Sequence, residues 1–156
     1  MNMHNLSKLT YLNAVIKEGL RVYPPGPAGF PRVTTASGNT ICGQYVPPNT
    51  VVIVTNLAAS FSTRNHTNPW KFAPERWEGA AEYAVDDRKA YQPFSFGPRN
   101  CIAQSLANAE MRLVLARVLW AFDLELQPES KNWIDQRAFA LWEKPPLMVK
   151  ITPRKL

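Results

Sequence analysis

Apolar residues recur at steps of three and four from Leu9 through Leu12, Ile16 and Leu20 to Tyr23, one stripe along a predicted helix over residues 7–23. Ser7 offers an N-cap, and Pro24-Pro25 stops the helix. Glu18 falls on the side away from the stripe, with Arg21 one turn further on. Read locally, that is an exposed i,i+3 ion pair worth roughly 0.3 kcal/mol. Residues 24–31 are held extended by their prolines. A short hairpin is predicted next, pairing residues 32–35 with 40–42 across a Ser37-Gly38-Asn39 turn. Pro47-Pro48-Asn49 marks a further turn before residues 50–55, a wholly β-branched strand that expects partners on both edges and a covered face.

Residues 61–98 carry no sustained period, only polar turns and a short helix near residues 80–83. So long an irregular stretch in a compact domain is functional or pinned by specific contacts, and Pro74-Glu75-Arg76-Trp77 is the candidate pin. Residues 102–122 form the second long predicted helix. Ile102, Leu106, Ala109, Leu113, Ala116 and Trp120 make a stripe, while Met111, Val114, Leu115 and Val118 fill the other sides. A helix this apolar nearly all round is built to be buried in a larger protein. Residues 139–142 and 147–151 close the chain as a predicted β-hairpin. The elements add up to an α+β fold, mainly α.

Composition narrows the function classes. Hydrophobic residues make up 46% of the 156, enough for a core and against wholesale disorder. The 14 prolines fit short elements joined by stiff segments. No apolar run approaches the ~20 residues of a membrane span, and the start lacks a secretory core, so this chain by itself is expected to be soluble and intracellular. The net charge of +6 is spread among interleaved acids without a dense basic run. Nucleic-acid binding is therefore not expected, and an acidic partner protein suits the surface better. His4 and His66 lack metal-ligand spacing and read as surface histidines. Of the two cysteines, Cys42 lies in a strand-like run and reads as a buried small hydrophobe.

Cys101 is different. Phe94-Ser95-Phe96-Gly97-Pro98-Arg99-Asn100-Cys101 reads as a tight loop delivering one thiolate, with an arginine two positions before it, to the start of a long helix. Gly97 permits the turn and Pro98 stiffens it. The helix N-terminus directs free N–H groups and a positive dipole end at the sulfur. That arrangement suits an anionic sulfur ligand on a haem iron.

Taken together, Glu18-Gly-Leu-Arg21, Pro74-Glu-Arg76-Trp77 and the run from Phe94 through Cys101 to Ala103 resemble, in order, the E-x-x-R, P-E-R-[FW] and F-x-x-G-x-R-x-C-x-[GA] elements of the cytochrome P-450 superfamily, the haem-thiolate monooxygenases. The resemblance covers residues 1–156 as a partial domain, the C-terminal third of the family fold, with the haem loop at 94–103. Tyr23-Pro-Pro-Gly and Leu141-Trp-Glu-Lys-Pro-Pro146 look most like fungal membrane-bound members that tailor secondary metabolites.

The resemblance implies haem b (iron protoporphyrin IX) with Cys101 as the axial thiolate, which favours O–O cleavage. It implies Arg32 and Arg99 at the propionates, Phe94 packed on the thiolate side, Gly97 at the turn, and Ala103 in close approach where the family more often has glycine. It replaces the local reading of Glu18 and Arg21 with a buried structural network shared with Arg76. Gly29, Phe30 and Phe139 would border the pocket of a small organic substrate. Partner and place would be an NADPH-cytochrome reductase and, for the full-length parent, the endoplasmic reticulum membrane. The anchor, the central helix with its acid–threonine pair, and the distal roof of full-length members have no counterpart here. The expectation is accordingly a truncated monooxygenase, cytosolic or unstable, without a membrane span. Its alternative is a non-catalytic remnant that binds haem weakly or not at all.

Overall fold

The computed structural model describes residues 2–155. Two helices open the chain, α1 (Met3–Ser7) and α2 (Thr10–Val22), where one helix was expected. Ser7 is therefore not an N-cap; its hydroxyl donates to the His4 carbonyl at 2.8 Å, and Leu9 takes the cap position of α2. Ile16 and Leu20 of the predicted stripe are buried, but so are Ala14, Glu18 and Arg21. Helix α2 is covered on two sides because its polar side packs against the 3-10 turn Pro74–Trp77.

Strands β1 (Arg32–Val33), β2 (Asn39–Ile41), β3 (Gln44–Val46) and β4 (Val51–Val52) form two separate antiparallel pairs. The predicted hairpin between 32–35 and 40–42 is not formed. Arg32 lies opposite Val52 and Val33 opposite Val51, while Ile41 pairs with Gln44 across a two-residue turn. Cys42 and Gly43 adopt φ of 51° and 81° at that turn, the left-handed pair that a tight hairpin of compatible twist requires. Cys42 is thus an exposed turn residue rather than a buried hydrophobe. The β-branched run 50–55 contributes only the two residues of β4, with a partner on one edge and Val51, Ile53 and Val54 largely exposed.

Helix α3 (Asn56–Phe61) leads into the irregular segment, which holds three 3-10 turns: Pro74–Trp77, Ala81–Tyr83 at the expected position, and Arg88–Ala90. Helix α4 (Gln104–Ala121) begins two residues later than predicted and has no buried residue; Leu106, Val114, Leu119 and Trp120 face outward. The closing pair is β5 (Phe122–Leu126) with β6 (Val149–Pro153), from Phe122 opposite Pro153 to Leu126 opposite Val149. Residues 139–142 give only an isolated bridge between Ala138 and Trp142. Pro145 and Pro146 have no N–H to offer a local ladder, and the alternating Phe122-Asp-Leu-Glu-Leu126 supplies a complete partner instead.

The apolar core is small: Leu6, Ala14, Ile16, Leu20, Ala73 and Tyr83. The chain's end is tied to the end of α2 by Trp142, which stacks on Tyr23 at 4.5 Å and donates its indole N–H to the Pro24 carbonyl at 2.7 Å.

Gly29 is buried at φ +76°, and a Cβ there would lie 2.0 Å from the Val54 carbonyl oxygen. Gly29→Ala should therefore lower unfolding stability by at least about 2 kcal/mol, because left-handed strain and a backbone clash coincide. Gly43→Ala, with φ +81° but open space around its Cβ, should cost only about 1 kcal/mol. Urea midpoints of the two variants test the ordering, and equal losses would refute it.

Candidate functional site

Three 3-10 turns cannot supply a regular ladder, so side chains hold the irregular segment to α2. Glu18 and Arg21 are both fully buried. Arg21 donates Nε to Glu18 Oε2 at 2.9 Å and Nη2 to Oε1 at 2.8 Å, the bidentate fork a guanidinium makes best. Its remaining donors reach the Ser60 carbonyl at 2.9 Å and the Lys71 carbonyl at 3.2 Å. Glu18 also accepts from the Ala73 N–H at 3.0 Å and the Trp77 indole at 2.9 Å, and Arg76 Nε lies 3.5 Å from Oε2. Burial pushes the Glu18 carboxyl up, but the Arg21 hydrogen bonds, the Ala73 N–H and the Arg21 charge outweigh it and hold the group below its ordinary value.

Arg76 is the hinge between two halves of this network. Beyond Glu18 it pairs with Asp86 through Nη1, donates Nη2 to the Thr67 carbonyl at 3.0 Å, and stacks over the Tyr83 ring at 4.3 Å. Asp86 in turn accepts from the Thr67 N–H at 2.7 Å. Burial raises the Asp86 carboxyl too, yet the Thr67 N–H and Arg76 bring it below the usual range. The motifs did not reveal Asp86, but a charge count points to it: two buried arginines need two carboxylates, and Glu18 is only one. His66 is likewise not a surface residue. It is 1% exposed, against the same Asp86.

Trp77 passes the clamp's geometry towards the cysteine loop. Its indole is fixed on Glu18 and its ring packs on Tyr91 at 4.6 Å, three residues before Phe94. Burial, then the Glu18 charge, raises the Tyr91 hydroxyl far above its ordinary value. The loop closes on itself from there. Ser95 N–H donates to Gln92 O at 3.0 Å, Asn100 N–H to Gly97 O at 3.0 Å, and Cys101 N–H to Phe94 O at 2.8 Å. Gly97, at φ +80°, opens the 3-10 turn Gly97–Arg99. Cys101 is exposed and precedes α4 by one turn, with Ala103 as the helix N-cap; the helix N-terminus thus lies beyond Ile102, not at it.

The structure brings Arg32 to the other side of this loop. Gly29, Phe30 and Arg32 line a cavity of about 360 Å³ together with Ser95 and Phe96. Phe139 is not among its walls and stands exposed in the turn that bridges to Trp142. Arg99 is exposed and, like Arg32, has no carboxylate within 4.0 Å among the described residues; Arg32 donates only to the Pro31 carbonyl beside it.

A family model described as cytochrome P450 matches residues 1–151. The chain belongs to the cytochrome P450 family. It is 51% identical over 148 residues to the cytochrome P450 monooxygenase atr2 of Stereocaulon alpinum, covering 95% of this chain and 29% of that protein. It is 49% identical over 154 residues to the cytochrome P450 monooxygenase aclL of Aspergillus oryzae, covering 98% and 31%. The solved structure of a retinoic-acid-bound cyanobacterial P450, CYP120A1, superposes with a TM-score of 0.84 at 25% identity, over 99% of this chain and 35% of that one. The chain thus spans about a third of the length of the proteins it matches, and its mixed helix-and-strand architecture is a partial P450 fold. No described helix is long and apolar enough to cross a membrane.

The family implies a haem cofactor, and the residues present fit one. A single exposed thiol sits in a stretch, from Arg88 to Ala109, without one acidic residue. Phe96 and Ile102 beside it expose 81% and 102% of their surface, apolar area suited to a macrocycle. A Cβ at Gly97 would meet no protein atom within 4 Å, so close approach there is unhindered. Two unpaired guanidiniums complete a donor set for an apolar, dianionic ligand.

Removing the Glu18 charge should be costly, because it leaves the buried Arg21 guanidinium without a carboxylate and deprives Arg76 of one of its two. Glu18→Gln is expected to lose about 3–5 kcal/mol of unfolding stability. The pH dependence has a definite sign. Carboxyls held below their unfolded values of about 4 stabilise the fold fully above that pH, and the contribution disappears as pH falls through the folded values. Chemical denaturation between pH 7 and pH 3 should show that acid limb shallower in Glu18→Gln than in the native chain; identical limbs would remove Glu18 from the clamp.

Proposed function

We propose that this chain is the haem-loop part of a haem-thiolate monooxygenase, with Cys101 as the axial ligand of haem b. The observation that carries the reading is the self-closed loop that presents one exposed thiol, in a stretch of sequence without acidic residues, a turn before α4. When bound, haem supplies the dioxygen activation that inserts one oxygen atom into an organic substrate. The chain's own residues hold and orient. The Cys101 N–H is consumed by Phe94 O, which fixes the backbone from which the thiolate projects. The first-turn N–H groups of α4 lie within one turn of the thiolate and favour the negative charge. Arg99 and Arg32, both without a carboxylate partner among the described residues, would take the propionates by charge-assisted hydrogen bonds. Phe94 would pack on the thiolate side of the group, Gly97 leaves the approach open, and Ala103 presents only a methyl group.

Gly29 and Phe30 border the substrate side, since they share a cavity with Arg32 and the loop. Phe139, outside that cavity, has no such support. The substrate class is a small organic molecule of secondary metabolism, by likeness to the fungal relatives. Electrons come from an NADPH-cytochrome reductase at the endoplasmic reticulum membrane. The complete reaction belongs to the longer polypeptide typified by those relatives. The alternative, a remnant that holds haem weakly or not at all, draws on the exposure of α4, whose apolar residues are all at least partly open to solvent.

The reduced, carbon-monoxide-bound difference spectrum of the haem-reconstituted chain decides between them. A strongly red-shifted Soret band that Cys101→Ser abolishes is the expected result, and Arg99→Ala should weaken haem retention without moving the band. A spectrum without that band, or one unchanged in Cys101→Ser, would leave this chain as a remnant.

A further inference from the structure

The clamp of Glu18, Arg21, Arg76 and Asp86 is electrically balanced, two carboxylates against two guanidiniums. His66 is packed into it with 1% of its surface exposed, and neither ring nitrogen has a hydrogen-bond partner among the described residues. Buried polar atoms are nearly always paired, so two orphaned nitrogens on one ring call for a physical account. The Nδ1 atom lies 3.7 Å from Asp86 Oδ2, beyond a hydrogen bond, because that oxygen is already taken by Arg76 Nη1. A movement of less than an ångström would bring the two together.

We propose that His66 is an acid-operated latch: on protonation it competes with Arg76 for Asp86 and opens the seam that joins the turn around His66 to the segment leading into the cysteine loop. The seam is bonded at Asp86 and at its neighbour Asp87. Asp86 Oδ1 accepts the Thr67 N–H at 2.7 Å, next to His66, and the Asp87 N–H donates to Asn65 O at 2.8 Å. Arg76, the competitor, also holds the Thr67 carbonyl. An imidazolium here adds one positive charge to a closed, neutral cluster facing two guanidiniums.

The surroundings bias the switch in one direction. From α2, Arg21 repels the protonated ring, and Glu18 is engaged by Arg21. From the turn Pro74–Trp77, Arg76 repels it. From the segment beyond, Asp86 alone attracts it; Arg88 donates to the Arg76 carbonyl, and Tyr83 contributes an unpaired hydroxyl. Lys71 and Glu82 pair with each other at the exposed rim. Burial first, then Arg21 and Arg76, hold the imidazole below its ordinary value against the pull of Asp86. A histidine whose folded value is depressed favours the fold fully above the unfolded value of about 6.5, and the contribution falls as pH drops below it. The His66 contribution therefore begins to fall at a higher pH than that of the clamp's carboxyls, and independently of haem.

The chain has two histidines, so one variant, His66→Phe, assigns the imidazole resonances. In the unmodified haem-free chain, the His66 ring should protonate below the ordinary value, and the amide protection of Thr67 and Asp87 should fall by about tenfold over the same interval while Leu124 in β5 keeps its protection. In His66→Phe that loss should shift down into the carboxyl range. Titration of His66 at the ordinary value overturns the proposal without any variant. So does protection at Thr67 and Asp87 that survives protonation, or that is lost at an unchanged pH in His66→Phe.

Discussion

Helix α2 and the irregular segment after α3 converge on one carboxylate. Glu18 receives both limbs of Arg21, the Ala73 N–H and the Trp77 indole, and stands within reach of Arg76. These donors come from α2 and from the irregular segment, which have no shared ladder and little apolar area between them. A core of six apolar residues among those described cannot by itself dictate the path of some forty residues without periodic structure. Directional bonds to a buried charge can, because each has one acceptable geometry and a severe penalty when broken. Such a cluster need not be more stable than a well-packed apolar one. Its contribution is to make a single path of the segment far better than its neighbours.

The clamp and the cysteine loop divide the work between them. The loop's shape is local, set by Ser95 to Gln92, Asn100 to Gly97 and Cys101 to Phe94, all within ten residues of sequence. Its placement is not local. It is inherited through Tyr91, which packs on Trp77, which is fixed on Glu18. A weakened clamp would leave a correctly shaped loop in the wrong position relative to Arg32, whose cavity it must share. Shape and position thus fail separately.

What the sequence made legible follows the range of the interactions. Helices α2 and α4 announce themselves by period, and the Gly97 turn by its residues, because each is settled within a few positions. Pairings that close over longer separations were misjudged. The 32–33 segment prefers Val51 and Val52 to its nearer neighbour because Cys42-Gly43 completes a tighter turn first. The final strand prefers 122–126 because the intervening prolines cannot donate. His66 looked like a surface residue since nothing local marks it as buried, and only the fold shows that Asp86 and two arginines surround it.

Helix α4 carries the remaining lesson. Its apolar residues run round every side, yet none is buried, and the edge of β4 beside Val51 is open as well. Pattern alone promised burial, and burial requires a second surface. Relatives of about three times this length have the chain to supply one. The polar clamp needs no such supplement, since all its donors and acceptors lie between Glu18 and Arg88. It follows that the part of the fold placing the cysteine loop is held by charge and hydrogen bonds internal to this stretch, whereas the apolar faces of α4 and β4 find no cover among the described residues.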